Sequence, residues 1–430
     1  HAGVTDKFGY KFSFGYDRTN NFSNPRLGKT GDEKGLEDFK GNVLAEYQFS
    51  ERSQASLSGG IDNFERDIDT GFGLLLADGN NAFTKFDYSH DDFKLQLVWN
   101  HLDSDLESTV LPSKGSVLTN TFQADLQNSF NLGENNILTG GISYHFNAFD
   151  SQLLIGGDED QNIFAFFLQD EWSPLENLNF TLGLRVDTHP ETGVHVSPRG
   201  VVVYSPWENH TFRASVSTAF RNPSIVENFF DLKLSNGLTI KGNTDLDAEQ
   251  IISFELGYQT LLFERLKARI DLFYNHADEL IEIIPPTGLT TTFANVDGGP
   301  IYGGEFSLEF FLVEWLQGFL NYSYQDRDFD NPIALGVVPR HKGNFGLNFT
   351  LPHGFSADLF VNAVGESEGA PGKVDPYTLV NIRLGYQFEV LGADAEVDFA
   401  VFNLFNDVHQ EIPGGDFIDR RITGSVHLSF

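Results

Sequence analysis

The chain has no cysteine and no methionine, and its 28 Lys and Arg are outnumbered by 61 Asp and Glu, a formal charge of −33. Without thiols there is no disulfide scaffold, thiolate zinc site, iron–sulfur cluster or thiol nucleophile. A pI near 4.5 argues against a nucleic-acid partner, because neutralising phosphates takes a basic surface. No apolar run approaches the ~18 residues of a membrane helix; residues 163–168 are among the longest. No basic and apolar leader follows His1, so the chain reads as already processed.

What is present is apolar and turn-rich. The chain has 42 Gly and 42 Phe, and 14% of its residues are aromatic, too many for an acidic disordered tail. A mean hydropathy of −0.23 has the look of a soluble protein, but the average hides an alternation. Leu266, Ala268, Ile270, Leu272 and Tyr274 share one face against Lys267, Arg269 and Asp271. Ala393, Ala395, Val397, Phe399 and Val401 oppose Asp394, Glu396 and Asp398. Period two marks strands with one apolar and one polar face. About twenty such strands run along the chain, with no helical stretch between them to make a parallel α/β sheet.

The connections alternate in length. Residues 20–38, 62–81, 101–120 and 148–162 read as long connections, and 50–54, 89–92, 131–136 and 173–177 as short ones. That rhythm predicts an all-β, up-and-down antiparallel barrel of about 20–22 strands, long loops at one end and tight turns at the other. A soluble sandwich gives the same alternation, but twenty strands in one meander are too many for it. Aromatics at strand ends, among them Tyr10, Tyr47, Trp99, Trp172, Trp207 and Tyr322, suit interfacial girdles. The expectation is one domain over residues 1–430, in a bacterial outer membrane, with an even strand count placing both termini in the periplasm.

Particular residues carry a family likeness. Gln169-Asp170-Glu171-Trp172, Gly183-Leu184-Arg185-Val186-Asp187, Ser197-Pro198-Arg199 and Phe220-Arg221-Asn222-Pro223-Ser224 come in order. Gly242-Asn243, Glu249, Glu255-Leu256-Gly257-Tyr258, Gly304-Glu305, Asn403-Leu404-Phe405-Asn406 and Phe430 follow. In order and spacing this stretch resembles the barrels of TonB-dependent outer-membrane receptors. The resemblance implies transport of a small solute such as a metal chelate. Members of that family also carry an N-terminal plug and a TonB-contacting segment. Here the first strand starts within a few residues of His1, so no plug is expected within the chain. The alternative is a plugless passive pore, or a structural barrel that scaffolds partner proteins.

No catalytic motif of the nucleophile-elbow, phosphate-loop or H-E-x-x-H type occurs, so no enzyme activity and no cofactor are expected. The twelve His are scattered singly. Acidic groups cluster at Glu65, Asp67 and Asp69, at Asp103, Asp105 and Glu107, and at Asp158, Glu159 and Asp160. The last trio is a weak metal candidate without calcium-loop spacing; a solvated anionic surface near lipopolysaccharide is the plainer reading. Arg185, Arg199, Arg213, Lys267, Arg269, Asp271, Lys342, Arg383, Asp394, Glu396 and Asp398 are candidates to line a polar lumen. Residues 222–250 form the longest connection, either functional or packed over their own apolar residues. Ile281, Ile283 and Ile284 read as an extended arm of the next loop. The expected partners are outer-membrane lipid and lipopolysaccharide, a small solute, and a separate plug or periplasmic protein.

Overall fold

A computed structural model describes residues 1–430 apart from 22, 25–28, 31–33, 71–72, 108–113, 330–337, 370–371, 391 and 430. Phe430 therefore lies outside the described residues, as does the Asp69 side chain. One antiparallel sheet of 21 strands dominates. Its first half comprises β1 (Ala2–Thr5), β2 (Phe8–Asn20), β3 (Lys34–Ser50), β4 (Ser53–Thr70), β5 (Gly73–His90), β6 (Phe93–Glu107), β7 (Gly115–Asn131), β8 (Asn136–Ser151), β9 (Gly157–Leu175) and β10 (Leu178–His189). There follow β11 (Gly193–Trp207), β12 (His210–Arg221), β13 (Glu249–Leu262), β14 (Leu266–Asp278), β15 (Gly299–Val313) and β16 (Leu316–Arg327). The last five are β17 (His341–Thr350), β18 (Phe355–Val364), β19 (Tyr377–Val390), β20 (Ala393–Phe402) and β21 (Arg421–Ser429).

Each strand pairs with its neighbours in this order, the up-and-down meander the loop rhythm predicts. The count is odd, not even, so β1 and β21 run in the same direction. No ladder joins those two among the described residues. The tight-turn end uses residues that tolerate positive φ, such as Asp91 (φ 49°) and Asn209 (φ 64°). The other end holds the long connections.

Much of what reads as long loop is paired strand. In the expected connections 62–81, 101–120 and 148–162, β4 runs to Thr70, β6 to Glu107, and β9 starts at Gly157. Glu65 pairs with Asp78, Asp78 with Asp105, and Asp150 with Asp158. In these extensions Glu65, Asp78 and Asp105 take the phase that is apolar lower on the wall, and Phe64, Ala77, Leu106 and Val117 make the other face apolar, so the period-two signal changes sides while the ladder hydrogen bonds continue. The wall is consequently tall on one side, with 15–19 residues in β3–β9, and short on the other, with 9–10 in β17, β18, β20 and β21.

The two faces divide as the alternation requires. Phe14, Leu57, Ile142, Phe166, Leu182, Leu256, Leu272 and Val426 stand exposed on one side. On the other, one cavity of about 640 Å³ takes in Gly9, Glu46, Gln54, Asp87, Gln96, Asp125 and Arg185, which belong to strands from β2 to β10. Side chains so far apart along the sheet meet only on a concave surface. The polar face is therefore the inner one, and the apolar face the outer.

Candidate functional site

At the long-loop end the chain builds a second, smaller structure on top of the barrel wall. Ser224 caps the short helix α1 (Ile225–Phe229) in a reciprocal box: its Oγ accepts from the Glu227 N–H (3.2 Å), and Glu227 accepts from the Ser224 N–H (2.7 Å). Pro223 before it is fully buried. Arg221, the last residue of β12, then grips two carboxylates. Its guanidinium donates to Glu227 at 2.9 and 3.1 Å and to Glu249 at 2.7 and 2.6 Å. Fork-to-carboxylate geometry of this kind fixes orientation as well as charge. Glu249 also accepts the Ile281 N–H at 2.9 Å, so one carboxylate ties together the 222–248 and 279–298 loops.

Those loops fold as one unit. Asp231–Lys233, Thr239–Lys241, Thr290–Val296 and Leu280–Ile283 form a four-stranded sheet, in which Thr239–Lys241 runs parallel to the Thr290 strand. Asn243 donates its side-chain N–H to the Phe293 carbonyl (3.1 Å), and Asn295 reaches the Asp247 and Glu279 carbonyls at 3.0 and 2.8 Å. At Gly242 a Cβ would come within 2.4 Å of the Asn228 carbonyl oxygen, which leaves room only for glycine. Leu232, Leu234 and Ile240 form the buried centre, with Leu153, Leu154, Phe230 and Phe293 against it. Leu154 comes from the β8–β9 loop, whose carbonyl accepts the Asp231 N–H at 2.8 Å. The same Leu154 packs on Phe64, Ala77, Leu106 and Val117 of the tall wall. The long connection is thus a packed loop covering its own apolar residues, and the Ile281 arm is one of its strands.

Charge in this unit is unbalanced, with Glu227, Glu249 and Glu282 around one arginine. Burial resists ionisation of Glu227, but the bonds from Arg221 and Ser224 outweigh it and hold its carboxyl below the ordinary value. Glu282 is shifted the other way: burial raises it, and Glu249 and Glu227 add to the effect against Arg221.

The concave wall below is laced with shorter-range pairs. Arg185 holds Asp187 two residues on (2.8 Å), as Arg269 holds Asp271 (2.5 Å). Arg213 meets Glu255 at 2.8 Å and Asp271 at 3.8 Å, and Lys267 meets Glu309 at 3.3 Å. Arg383 is surrounded by Asp358, Glu396 and Asp398 at 3.0, 2.6 and 2.5 Å. Arg199, Lys342 and Asp394 have the same strand phase but no ion pair among the described residues. Half-exposed pairs of this type contribute ~0.2–1 kcal/mol each. The sequence reading passed over the aromatics on this face. Phe167 covers Gly141, Phe273 covers Gly303, and Phe319 covers Gly346 with Phe360 beyond it. Each is a Phe in polar phase beside a cross-strand Gly, a pattern readable only once the pairing is known.

The acidic trio separates. Asp158 and Asp160 point to the exposed face of β9 and Glu159 to the opposite one, because adjacent strand residues cannot converge. Among the described residues no three His, Asp or Glu side chains are placed to hold a metal ion. Two of the scattered His do meet at the β10–β11 tip. His189 Nδ1 lies 3.2 Å from Glu191, and His195 Nε2 lies 2.7 Å from Thr192, which donates to Asn222.

A family model described as the TonB-dependent receptor-like β-barrel matches residues 2–404. The chain belongs to that family. It is an outer-membrane barrel with long extracellular loops and short periplasmic turns. Among curated relatives, the iron-regulated outer membrane virulence protein of Vibrio cholerae serotype O1 is 28% identical over 269 residues, covering 56% of this chain and 40% of the relative. The ferric enterobactin receptor PirA of Pseudomonas aeruginosa is 26% identical over 277 residues, covering 56% and 36%. The matches thus span well under half the length of these relatives. Among solved structures, the siderophore receptor PirA from Pseudomonas aeruginosa superposes with a TM-score of 0.77 at 17% identity, over 100% of this chain and 75% of that one. The copper transporter OprC gives 0.80 at 15% identity, over 100% and 77%. At these identities the likeness is one of fold.

Proposed function

We propose that this family member is the translocation barrel of an uptake receptor for a metal chelate, taken in through the folded extracellular mouth and passed along the polar concave wall. The observation that carries this reading is the mouth itself. Three loops share a buried apolar centre, two of them are tied through the Arg221–Glu249 cluster, and a simple pore does not need such a construction. The family, and relatives named as an iron-regulated outer membrane protein and a ferric enterobactin receptor, support the same solute class. A bare soft ion suits the chain less well, since it has neither Cys nor Met to supply the sulfur ligands such ions favour. Recognition then rests on the organic shell of the chelate.

Arg185, Arg199, Arg213, Lys267, Arg269, Asp271, Asp394, Glu396 and Asp398 line the passage in this reading. Their mixed charge lets a hydrated solute, or a plug segment, sit against the wall without one sign dominating. In this reading β21 carries the C-terminus toward the periplasmic end, whereas β1 runs in the same direction away from His1, whose amine bonds the Phe12 carbonyl up the wall. The test uses the purified barrel in liposomes with a panel of ferric chelates of catecholate, hydroxamate and carboxylate type. Saturable binding of one class, weakened by Arg221→Ala, is the expected result. No binding of any class, together with large and steady planar-bilayer currents, would overturn it in favour of an open pore.

A further inference from the structure

We infer that His409 and Glu411 form a binding site for a borderline divalent ion of the zinc class. Both stand in the 403–420 loop between β20 and β21, at the long-loop end of the barrel. The local backbone brings them together. His409 donates its N–H to the Ile418 carbonyl at 3.3 Å and accepts the Ile418 N–H at 2.8 Å. The chain is therefore extended there, and residues two apart on an extended chain share a side. The loop is also well anchored. Asn403 is buried and bonds the Asp407 carbonyl and N–H, both at 2.9 Å, and the Asp407 carboxylate accepts the Thr378 N–H of β19 at 3.1 Å.

The surroundings of the ring fix which nitrogen is free. His409 Nδ1 lies 2.8 Å from the Asp407 carbonyl, which can only accept, so Nδ1 carries the proton. Tyr377 stacks on the ring with centroids 4.1 Å apart and holds its plane. What remains is the Nε2 lone pair, which has no hydrogen-bond partner although the side chain is only 5% exposed. Opposite it, 3.8 Å away, is the Glu411 carboxylate, half open to solvent. Two electron-pair donors facing each other at this distance repel unless something electron-poor lies between them. A zinc-class ion takes imidazole nitrogen at ~2.0–2.1 Å and carboxylate oxygen at ~2.0–2.2 Å, reaches that together span the gap. A carbonyl behind Nδ1 is the common support of a metal-binding imidazole, and the open side of Glu411 lets water complete the shell. Calcium and magnesium suit the pair less well, since they take oxygen ligands. His189 and Glu191 repeat the spacing and supply the contrast. There Nδ1 accepts the Thr192 N–H at 3.4 Å and Glu191 accepts Gln161 at 3.1 Å, so that pair already has its donors.

The site belongs to the 403–420 loop and not to the Arg221 cluster, so its failure leaves the receptor reading intact. The full chain, stripped of metal in detergent micelles, is titrated with Zn²⁺ by calorimetry at neutral pH. Wild type is expected to bind one ion more per barrel than His409→Ala. Glu411→Gln, which keeps the shape of a half-exposed side chain, is expected to weaken that ion roughly tenfold. His90→Ala, at the short-turn end, is expected to change neither the count nor the affinity. Zn²⁺ is also expected to slow proteolysis within the 403–420 loop of wild type and not of His409→Ala. Equal ion counts in wild type and His409→Ala overturn the inference. So does a Glu411→Gln barrel that holds the ion as tightly as wild type.

Discussion

The mouth and the concave wall use the same few side-chain types in opposite ways. On the wall an arginine finds its carboxylate two residues along its own strand, as in Arg185–Asp187 and Arg269–Asp271, or on an adjoining strand, as in Arg213–Glu255. At the mouth, Arg221 joins Glu227 to Glu249, and through Glu249 the backbone of Ile281. Sixty residues of chain are closed by one guanidinium. The wall pairs are redundant, because the ladder already holds the strands together. Arg221 and Glu249 form the last rung of the β12–β13 ladder, and from that rung they reach Glu227 and the Ile281 N–H, which no ladder joins to it, so the cluster organises the loops above.

The largest expected effect follows from that difference. Arg221→Ala leaves three carboxylates facing one another, half buried, and should cost about 2–4 kcal/mol of local stability. Hydrogen exchange and limited proteolysis should then show loops 222–248 and 279–298 opening while barrel melting barely shifts. If the whole barrel unfolds with the loops, the two regions are not separate units. Gly242→Ala places a methyl against the Asn228 carbonyl and should cost about 1–3 kcal/mol, with the same loops becoming cleavable. Arg383→Met, the wall counterpart of Arg221, should lower stability by only ~1 kcal/mol, visible as a small melting shift without new cleavage. A loss as large as that of Arg221→Ala would erase the contrast.

Acidity gives the smallest and finest test. Glu227 titrates below the ordinary carboxylate value, so its contribution is present above that value and is lost as pH falls through the depressed one. Glu282 titrates above it, so its contribution is present at acid pH and is lost as pH rises through the raised value. Loop protection should therefore peak in the weakly acidic range. Glu282→Gln should remove the loss on the alkaline side, a gain of a few tenths of a kcal/mol or roughly twofold in protection. A flat pH profile in wild type would sink this account.

The same comparison explains what could be read in advance. Wall residues announce themselves, because period two puts Arg269 and Asp271 on one face whatever the strand pairs with. The ladder extensions at 62–81 and 101–120 were hidden, since Glu65, Asp78 and Asp105 are polar on an element whose other face carries no apolar stripe of membrane length. The family-like residues at Arg221, Ser224, Gly242, Asn243 and Glu249 were recognisable as words without a reason. For Arg221, Asn243 and Glu249 the reason lies in contacts with residues far along the chain (Arg221 with Glu249, Asn243 with Phe293, Glu249 with Ile281), which no local pattern encodes, whereas Ser224 bonds Glu227 in a capping box three residues long. The acidic trio at Asp158, Glu159 and Asp160 erred the other way: adjacent in sequence, it was split by the strand geometry.

By itself, then, the sequence determined the meander, the two faces and the absence of sulfur chemistry, because each follows from residue type and a period of two. Only the tertiary structure decided how tall each side of the wall stands, which glycines sit under a phenylalanine, and that three loops become one folded mouth on a shared apolar centre, two of them tied by Arg221. Those depend on which strands and loops meet. Pairing across a curved sheet brings together residues that the chain itself keeps far apart.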